Sequence, residues 1–437
     1  MTSTPARPGA HSRPDAPPFR FSRMESLLRG PAVRGVSVDG VGAHFVTDPV
    51  LVRDILVKDS KNYAKGELFQ KARNLSRAGI LAEDESVHRY YRRLAHPHLR
   101  SATVDDYAPL MREIARDAVL SWRAEQRVDV QAEMCRIAGA VALNTLFNGL
   151  PPQTSALLTE RLALLSWEMI RKPLYGKAAA RAQRRQCAGR LLRAREDFRR
   201  TLAACLTGRP GTPAPAAGYL SALRPQLHRD GPALTPEQMC DEAVMMLTAG
   251  TVTTASVLSW ALYVISQEPL IEEKVLKDTA GDADADALHG TAHGHCPAGY
   301  TVRFLTEVLR LYPPVWITCR KTLSAVTLGA HPLPAGTHVL FSSYLLHRDP
   351  DRYRDPHRFD PDRWLSTRPA MGDSSFIPFG VGAKGCIGES FAWKELEIVL
   401  GAVIQEWQLS VEPGSRIRKA PHTTLHPRRL LMIPRPR

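Results

Sequence analysis

The chain predicts a mainly α domain with a small β lobe, and three observations carry that expectation. Amphipathic helical patterns dominate from about residue 103 to about residue 228. A long apolar helical pattern then begins at Thr235 and runs to about Gln267. Short alternating segments punctuated by Gly and Pro gather at residues 31–57 and again towards the C-terminus.

Taken in order, VRGVSVDG and GAHFVTD read as a hairpin, and Pro49 with LVRDILV opens a helix. Residues 62–80 are mixed and Gly-punctuated, which predicts a loop suited to ligand contacts. ESVHRYYRRLAHPHL, YAPLMREIARDAVLSWRAE, VQAEMCRIAGAVALNTLF and SALLTERLALLSWEMI read as helices, and GRPGTPAPAAG (208–218) as a connector. At Thr235 the start is well marked: Thr235 as N-cap, Pro236 inside the first turn and Gln238 three residues on form a capping box. A thirty-residue helix from there would be roughly 45 Å long, enough to cross a domain. Gly250 in its middle costs about 1 kcal/mol against Ala, and the hydroxyls of Thr251 and Thr253 can bond back to carbonyls one turn earlier. Residues 278–299 are rich in Ala, Asp, Gly and His and predict an exposed connection. TVRFLTEVLRLYPP returns to helix, followed by strands with turns at Gly329 and Pro334-Ala335-Gly336. The tail around Thr423, Thr424 and Leu425 predicts strands, the last turn dipping toward the interior.

Composition narrows the function. A net charge of +14 fits nucleic acid, an acidic protein partner or mere solubility. The basic stretch 171–200 carries interleaved Leu191, Leu192 and Phe198, as a solvated amphipathic helix would, and no nucleic-acid motif accompanies it. No apolar run is long enough to read as a membrane span. The first twenty residues have no apolar core and predict a disordered tail. Seven cysteines stand singly, without CxxC pairs, which argues for a reducing cytoplasm. His289, His293, His295 and Cys296 could be grouped as metal ligands, but the segment lacks a fixed frame.

The chemistry concentrates in FIPFGVGAKGCIGE, residues 376–389, which runs into the helical pattern FAWKELEIVLGAVI. Four glycines between Gly380 and Gly388 let the backbone turn tightly against something flat. Cys386 sits inside that turn, ahead of a helix N-terminus and close to Lys384, both of which favour thiolate. Such a thiolate suits an axial ligand to haem iron. A glycine-rich turn around an inert buried cysteine would also fit these residues taken alone.

FGVGAKGCIG resembles the haem-binding loop of the cytochrome P-450 superfamily at every defined position. Three further elements resemble the family in its order. His88 and Arg92, four apart on one helix face, match the pair that holds haem propionates. Ala249-Gly250-Thr251-Val252-Thr253-Thr254 matches the oxygen-binding groove. Glu307 and Arg310 match the Glu-x-x-Arg element, with Arg363 of FDPDRW as partner. The resemblance covers about residues 30–437 and implies the cytochrome P-450 fold. That is a triangular single domain with a long central helix, here residues 21–437 behind the tail at 1–20.

The resemblance also implies the site. Cys386 would be the iron ligand of haem b. His88, Arg92, Arg320 and Lys384 would meet the propionates, and Phe379, Gly380 and Gly388 would shape the cysteine loop. Ala249, Gly250 and Thr253 would form the oxygen groove. An apolar substrate would lie against Met245, Met246, Ala249 and Val315–Thr318. The segment LYPPVWITCRK, with HRDP and FDPDRW, is similar to bacterial members that act on terpenoids. Electrons would come from NAD(P)H through an acidic ferredoxin or flavodoxin, docked on Arg89, Arg93, Arg100 and Lys394. The expected protein is a cytoplasmic monomer with no nucleic-acid partner. Val252 departs from the family, which has an acid there. A haem-thiolate enzyme that does not use dioxygen, such as a peroxygenase or dehydratase, therefore stays open, as does a non-catalytic haem- or nucleic-acid-binding protein.

Overall fold

The computed structural model of the chain describes residues 20–66, 80, 85–171, 193–205, 218–223, 235–280, 299–365 and 374–437. The expected tail, the Pro-rich connector and the Ala/Asp/Gly/His-rich segment lie wholly or mostly outside these residues.

Strands β1 (Val33–Val38) and β2 (Val41–Val46) form the predicted hairpin. Asp39 and Gly40 both take positive φ between them, the two-residue turn whose twist matches paired strands. Asp48 caps α1 (Pro49–Arg53) by accepting from Val50 N–H. Next comes β3 (Tyr63–Lys65), a strand inside the segment expected to be loop. It pairs with β5 (Thr318–Thr322), so its order comes from a partner far along the chain that no local pattern announces.

Between β3 and the central helix come α2 (Glu85–Leu99), α3 (Ser101–Leu120), α4 (Val130–Leu146, after the short β4, Val128–Asp129), α5 (Pro152–Ile170) and α6 (Tyr219–Leu223). Residues 193–205 are also helical. The central helix α7 runs unbroken over Pro236–Gln267, and its predicted capping box is formed by Thr235 and Gln238. It is followed by α8 (Pro269–Ala280) and α9 (Tyr300–Leu311). After the strands come α10 (Ser343–Leu346) and α11 (Glu389–Glu406), the latter directly behind the cysteine loop.

The strands beyond β5 are β6 (Val326–Leu328), β7 (His331–Leu333), β8 (His338–Phe341), β9 (Trp407–Val411), β10 (Arg418–Pro421), β11 (Leu425–Arg428) and β12 (Leu431–Pro436). The largest sheet has the order β1-β2-β8-β5-β3, with β2 and β8 parallel and the other neighbours antiparallel. This small lobe brings Lys65 opposite Arg320 in register.

Helix α7 is long and apolar enough to cross a membrane, but 83% of its most apolar stretch is buried inside the fold. It packs on α4, α5 and α11, and its side chains feed two large core clusters. One joins α7 to α9 and α11, the other joins it to α2, α4 and α5. The molecule is thus organised around α7, with α11 and its preceding loop held against it.

Candidate active site

Glu307 and Arg310 fix the approach to the cysteine loop, because each is wholly buried and each satisfies the other. Arg310 Nε and Nη2 donate to the two Glu307 oxygens at 2.8 and 2.7 Å, a bidentate pair. Arg363 Nε at 3.1 Å, Trp364 Nε1 at 2.9 Å and Asp360 N–H at 2.9 Å donate to the same carboxylate. Arg310 also holds the carbonyls of His347, Pro356 and Arg358. The network reaches the loop through His347, a link the sequence reading missed. Its Nδ1 lies 3.2 Å from the Arg310 carbonyl, and its Nε2 accepts from Ile377 N–H at 2.9 Å. Burial and two flanking arginines lower the His347 pKa to about 3. A neutral imidazole with its proton on Nδ1 is what both bonds require.

Beyond Ile377 the chain turns through Gly380 and Gly382, both at positive φ. A Cβ at Gly382 would run into the Leu56 carbonyl oxygen, so the loop passes α1's extension at a distance glycine allows. Cys386 N–H donates to the Phe379 carbonyl at 2.8 Å and closes the loop. Burial pushes the Cys386 thiol up to about 11, against the pull of the Gly388 N–H and of Arg92. The cations near it therefore differ from expectation. Lys384 sends its ammonium to the carbonyls of Ser60 and Tyr63, at 3.0 and 2.8 Å, and clamps the loop to the small lobe. Arg92, whose Nη1 donates to the Gly385 carbonyl at 2.8 Å, takes the place beside the thiol.

The thiol is deep in the protein yet exposed, which means that it lines an internal hollow rather than filling a core position. Helix α7 shows the same signature. From Glu242 to Leu262 every residue is buried except Ala249, Gly250 and Thr253, which share a face. A Cβ on Gly250 would meet nothing within 4 Å. These are the places where the residues fit a flat group: a reachable sulfur on a glycine turn, and a helix face that keeps open space. Thr253 Oγ1 donates back to the Ala249 carbonyl at 2.8 Å. Val252 is 4% exposed and belongs to the core shared with α9 and α11, so it does not present itself to the hollow.

The expected cations gather at one edge. His88 is buried, and its Nδ1 lies 2.7 Å from the Ile80 carbonyl and 3.2 Å from Lys65 Nζ. Arg320 is 9% exposed, bonds its neighbour's carbonyl and stands opposite Lys65 across β3 and β5. Lys65 joins this group without any sequence signal, because the pairing that brings it there is long-range.

Some expected residues face elsewhere. Met245, Trp316 and Ile317 are each 1% exposed and packed in core clusters, and Met246 is buried too, whereas Ala249, Val315 and Thr318 stay partly accessible. Lys394 is a correction: its side chain is 10% exposed and pairs with Asp105 Oδ1 at 2.8 Å, so it cannot belong to an exposed docking face. Arg89, Arg93 and Arg100 are exposed. Among the described residues no His/Cys/Asp/Glu cluster could hold a metal ion, and the His289–Cys296 segment lies outside them.

Known proteins place this architecture. The sequence pattern of the cytochrome P450 family matches residues 30–437, and the chain belongs to that family. Cyclooctatin synthase of Streptomyces melanosporofaciens is 31% identical over 406 residues, covering 89% of this chain and 85% of its own. Pentalenene oxygenase of Streptomyces avermitilis is 29% identical over 423 residues, covering 94% and 92%. Among solved structures, a retinoic acid-bound cyanobacterial CYP120A1 superposes with a TM-score of 0.77 over 95% of this chain and 93% of its own, at 21% identity. The fold is thus the cytochrome P450 fold, haem is the cofactor that membership implies, and the activity is that of a P450 monooxygenase.

Proposed function

We propose that this chain oxygenates an apolar small molecule of the terpenoid class, using haem b held by Cys386. The carrying observation is the reachable thiol of Cys386, deep inside the protein on a loop locked from behind. The terpenoid class is supported by the names of the relatives, cyclooctatin synthase, cyclooctat-9-en-7-ol 5-monooxygenase and pentalenene oxygenase.

Bound haem would supply the activation of dioxygen, with a thiolate ligand favouring O–O cleavage. This chain's residues do the rest. Cys386 gives the sulfur, and the Gly388 N–H and Arg92 stabilise its charge. His88, Arg92, Arg320 and Lys65 offer positive charge to propionates, Arg with two parallel donors. Ala249, Val315 and the Thr318 methyl present apolar surface to a substrate, and such lining selects apolar ligands. The Thr253 hydroxyl orients water beside Gly250. Electrons arrive from NAD(P)H through an acidic ferredoxin or flavodoxin that meets Arg89, Arg93 and Arg100, with opposite charge steering the encounter.

A terpenoid panel screened for high-spin spectral shifts tests the substrate class; no shift with any apolar terpenoid would reject it. Val252 favours one second reading, a haem-thiolate enzyme that does not use dioxygen. Turnover with NAD(P)H and a ferredoxin pair, set against turnover with peroxide alone, separates the two.

A further inference from the structure

Two sheets meet where β9 ends, β10 begins, β11 ends and β12 begins: the three-stranded β4-β12-β9 and the two-stranded β10-β11. A cavity of about 430 Å³ opens there, a volume that suits a small ligand. Unlike the hollow around Cys386 it is lined by charge, with Arg416, Arg418, Arg428 and Arg429 beside Glu412 and Ser415. All four arginines are exposed. Among the described residues none of them has a carboxylate at ion-pair distance. Glu412, the acid in the lining, is taken by Arg127 Nη2 at 2.6 Å.

The backbone holds these charges together at a cost. Arg418 and Arg428 stand directly opposite each other in the β10–β11 register, where like charges destabilise pairing. Side chains alternate along a strand, and Lys419 turns inward to donate to the Tyr344 hydroxyl at 3.0 Å, so Arg418 points outward. Arg429 takes a φ of 55°, a left-handed backbone that an arginine adopts only with strain. Leu431 N–H donates to the Arg429 carbonyl at 3.2 Å, and Glu412 N–H donates to the Leu431 carbonyl at 3.0 Å, which ties both edges of the recess to β12. A merely solvated surface would spread like charges apart. This one gathers four around a recess and leaves the neutralising group to come from outside the chain.

We propose that the recess binds a small soluble polyanion, a molecule carrying a diphosphate group, through Arg416, Arg418, Arg428 and Arg429. Each guanidinium presents parallel N–H donors that match phosphate oxygens, and two linked phosphates offer enough oxygens for several of them. One phosphate alone reaches fewer. The Ser415 hydroxyl adds a further donor to the lining. A negative charge between Arg418 and Arg428 replaces repulsion across the hairpin with attraction to a common centre. The occupant therefore stabilises the folded chain in proportion to its binding. The site uses neither haem nor electrons, so it stands apart from the oxygenase reading.

The probe is inorganic pyrophosphate, titrated calorimetrically into the whole haem-loaded chain, with Tm read in parallel. Saturable one-to-one binding and a Tm that rises with pyrophosphate are expected, with orthophosphate binding more weakly. Arg418→Ala and Arg428→Gln should each weaken binding about 10-fold, as losing a hydrogen bond to a charged group does. Neither should lower Tm without the anion, since each removes half of a like-charge pair; a purely structural role would lower it. Arg112→Ala with Arg116→Ala takes two charges from exposed positions on α3 and should bind pyrophosphate as wild type does. No saturable binding, or an equal loss in the α3 variant, would overturn the proposal, because net surface charge would then suffice. Binding confined to anionic vesicles or to an acidic ferredoxin, with none to pyrophosphate, would overturn it as well and assign the patch to a macromolecular contact.

Discussion

Removing the Glu307 carboxylate should dismantle the support behind the cysteine loop. The carboxylate accepts five hydrogen bonds, from Arg310 twice, Arg363, Trp364 and Asp360 N–H. Glu307→Ala would leave the Arg310 guanidinium buried at 0% exposure with three carbonyls and no counter-charge. Breaking one partner of a buried ion pair in this way costs about 3–5 kcal/mol. A domain holds only about 5–15 kcal/mol in reserve. Unfolding entropy of about 2.1 cal/mol/K per residue gives about 0.9 kcal/mol/K for a chain of this length, hence a Tm drop of about 4 °C. Because Arg310 reaches the loop through His347 and Ile377, haem retention should fall along with stability. The measurement is Tm together with haem content per chain, and the expected yield of soluble holoprotein is low. Wild-type Tm and full haem content in Glu307→Ala would refute the reasoning.

Other perturbations follow from the same geometry. His347 and His426 have pKa values lowered by burial to about 3 from 6.5, so the stability they contribute is complete above pH 6.5 and is lost as pH falls toward 3. At about pH 5.5 the loss is about 1.4 kcal/mol for each imidazole, and a Tm unchanged between neutral pH and that point would contradict their burial as neutral bases. Thr253→Ala should raise peroxide release per NADPH, whereas Val252→Asp should not improve coupling, since its carboxylate would enter a core position rather than the hollow; a several-fold gain with Val252→Asp would contradict that placement. First-electron transfer from a ferredoxin should slow as ionic strength rises, because salt screens exposed charges, and Arg93→Glu should slow it further. Rates indifferent to both would remove Arg89, Arg93 and Arg100 from the docking face.

What was legible in the sequence is what local pattern controls. The capping box at Thr235, the Asp39-Gly40 turn and the Tyr300–Leu311 helix follow from residues within a turn or two of each other. The cysteine loop announced itself through glycines whose spacing has few other uses. Contacts between distant segments were not legible. The strand at Tyr63–Lys65 exists because β5 pairs with it, and Lys65 reaches the basic edge for that reason alone. His347 joined the lock through a bond to Ile377 that no spacing suggests. Lys384 and Lys394 were misplaced because a lysine's sequence position fixes its backbone, not which carbonyl or carboxylate its long side chain finds.

The central claim is that Cys386 supplies the thiolate for haem. Cys135, Cys205, Cys240 and Cys319 are buried, and Cys386 is the exposed free cysteine among the described residues. The most direct measurement is the reduced carbon monoxide spectrum of the purified haem protein beside that of Cys386→Ser. Wild type should give the thiolate-type Soret band and Cys386→Ser should lose it while the chain still folds. The same band in Cys386→Ser, or its absence from fully haem-loaded wild type, would contradict the assignment.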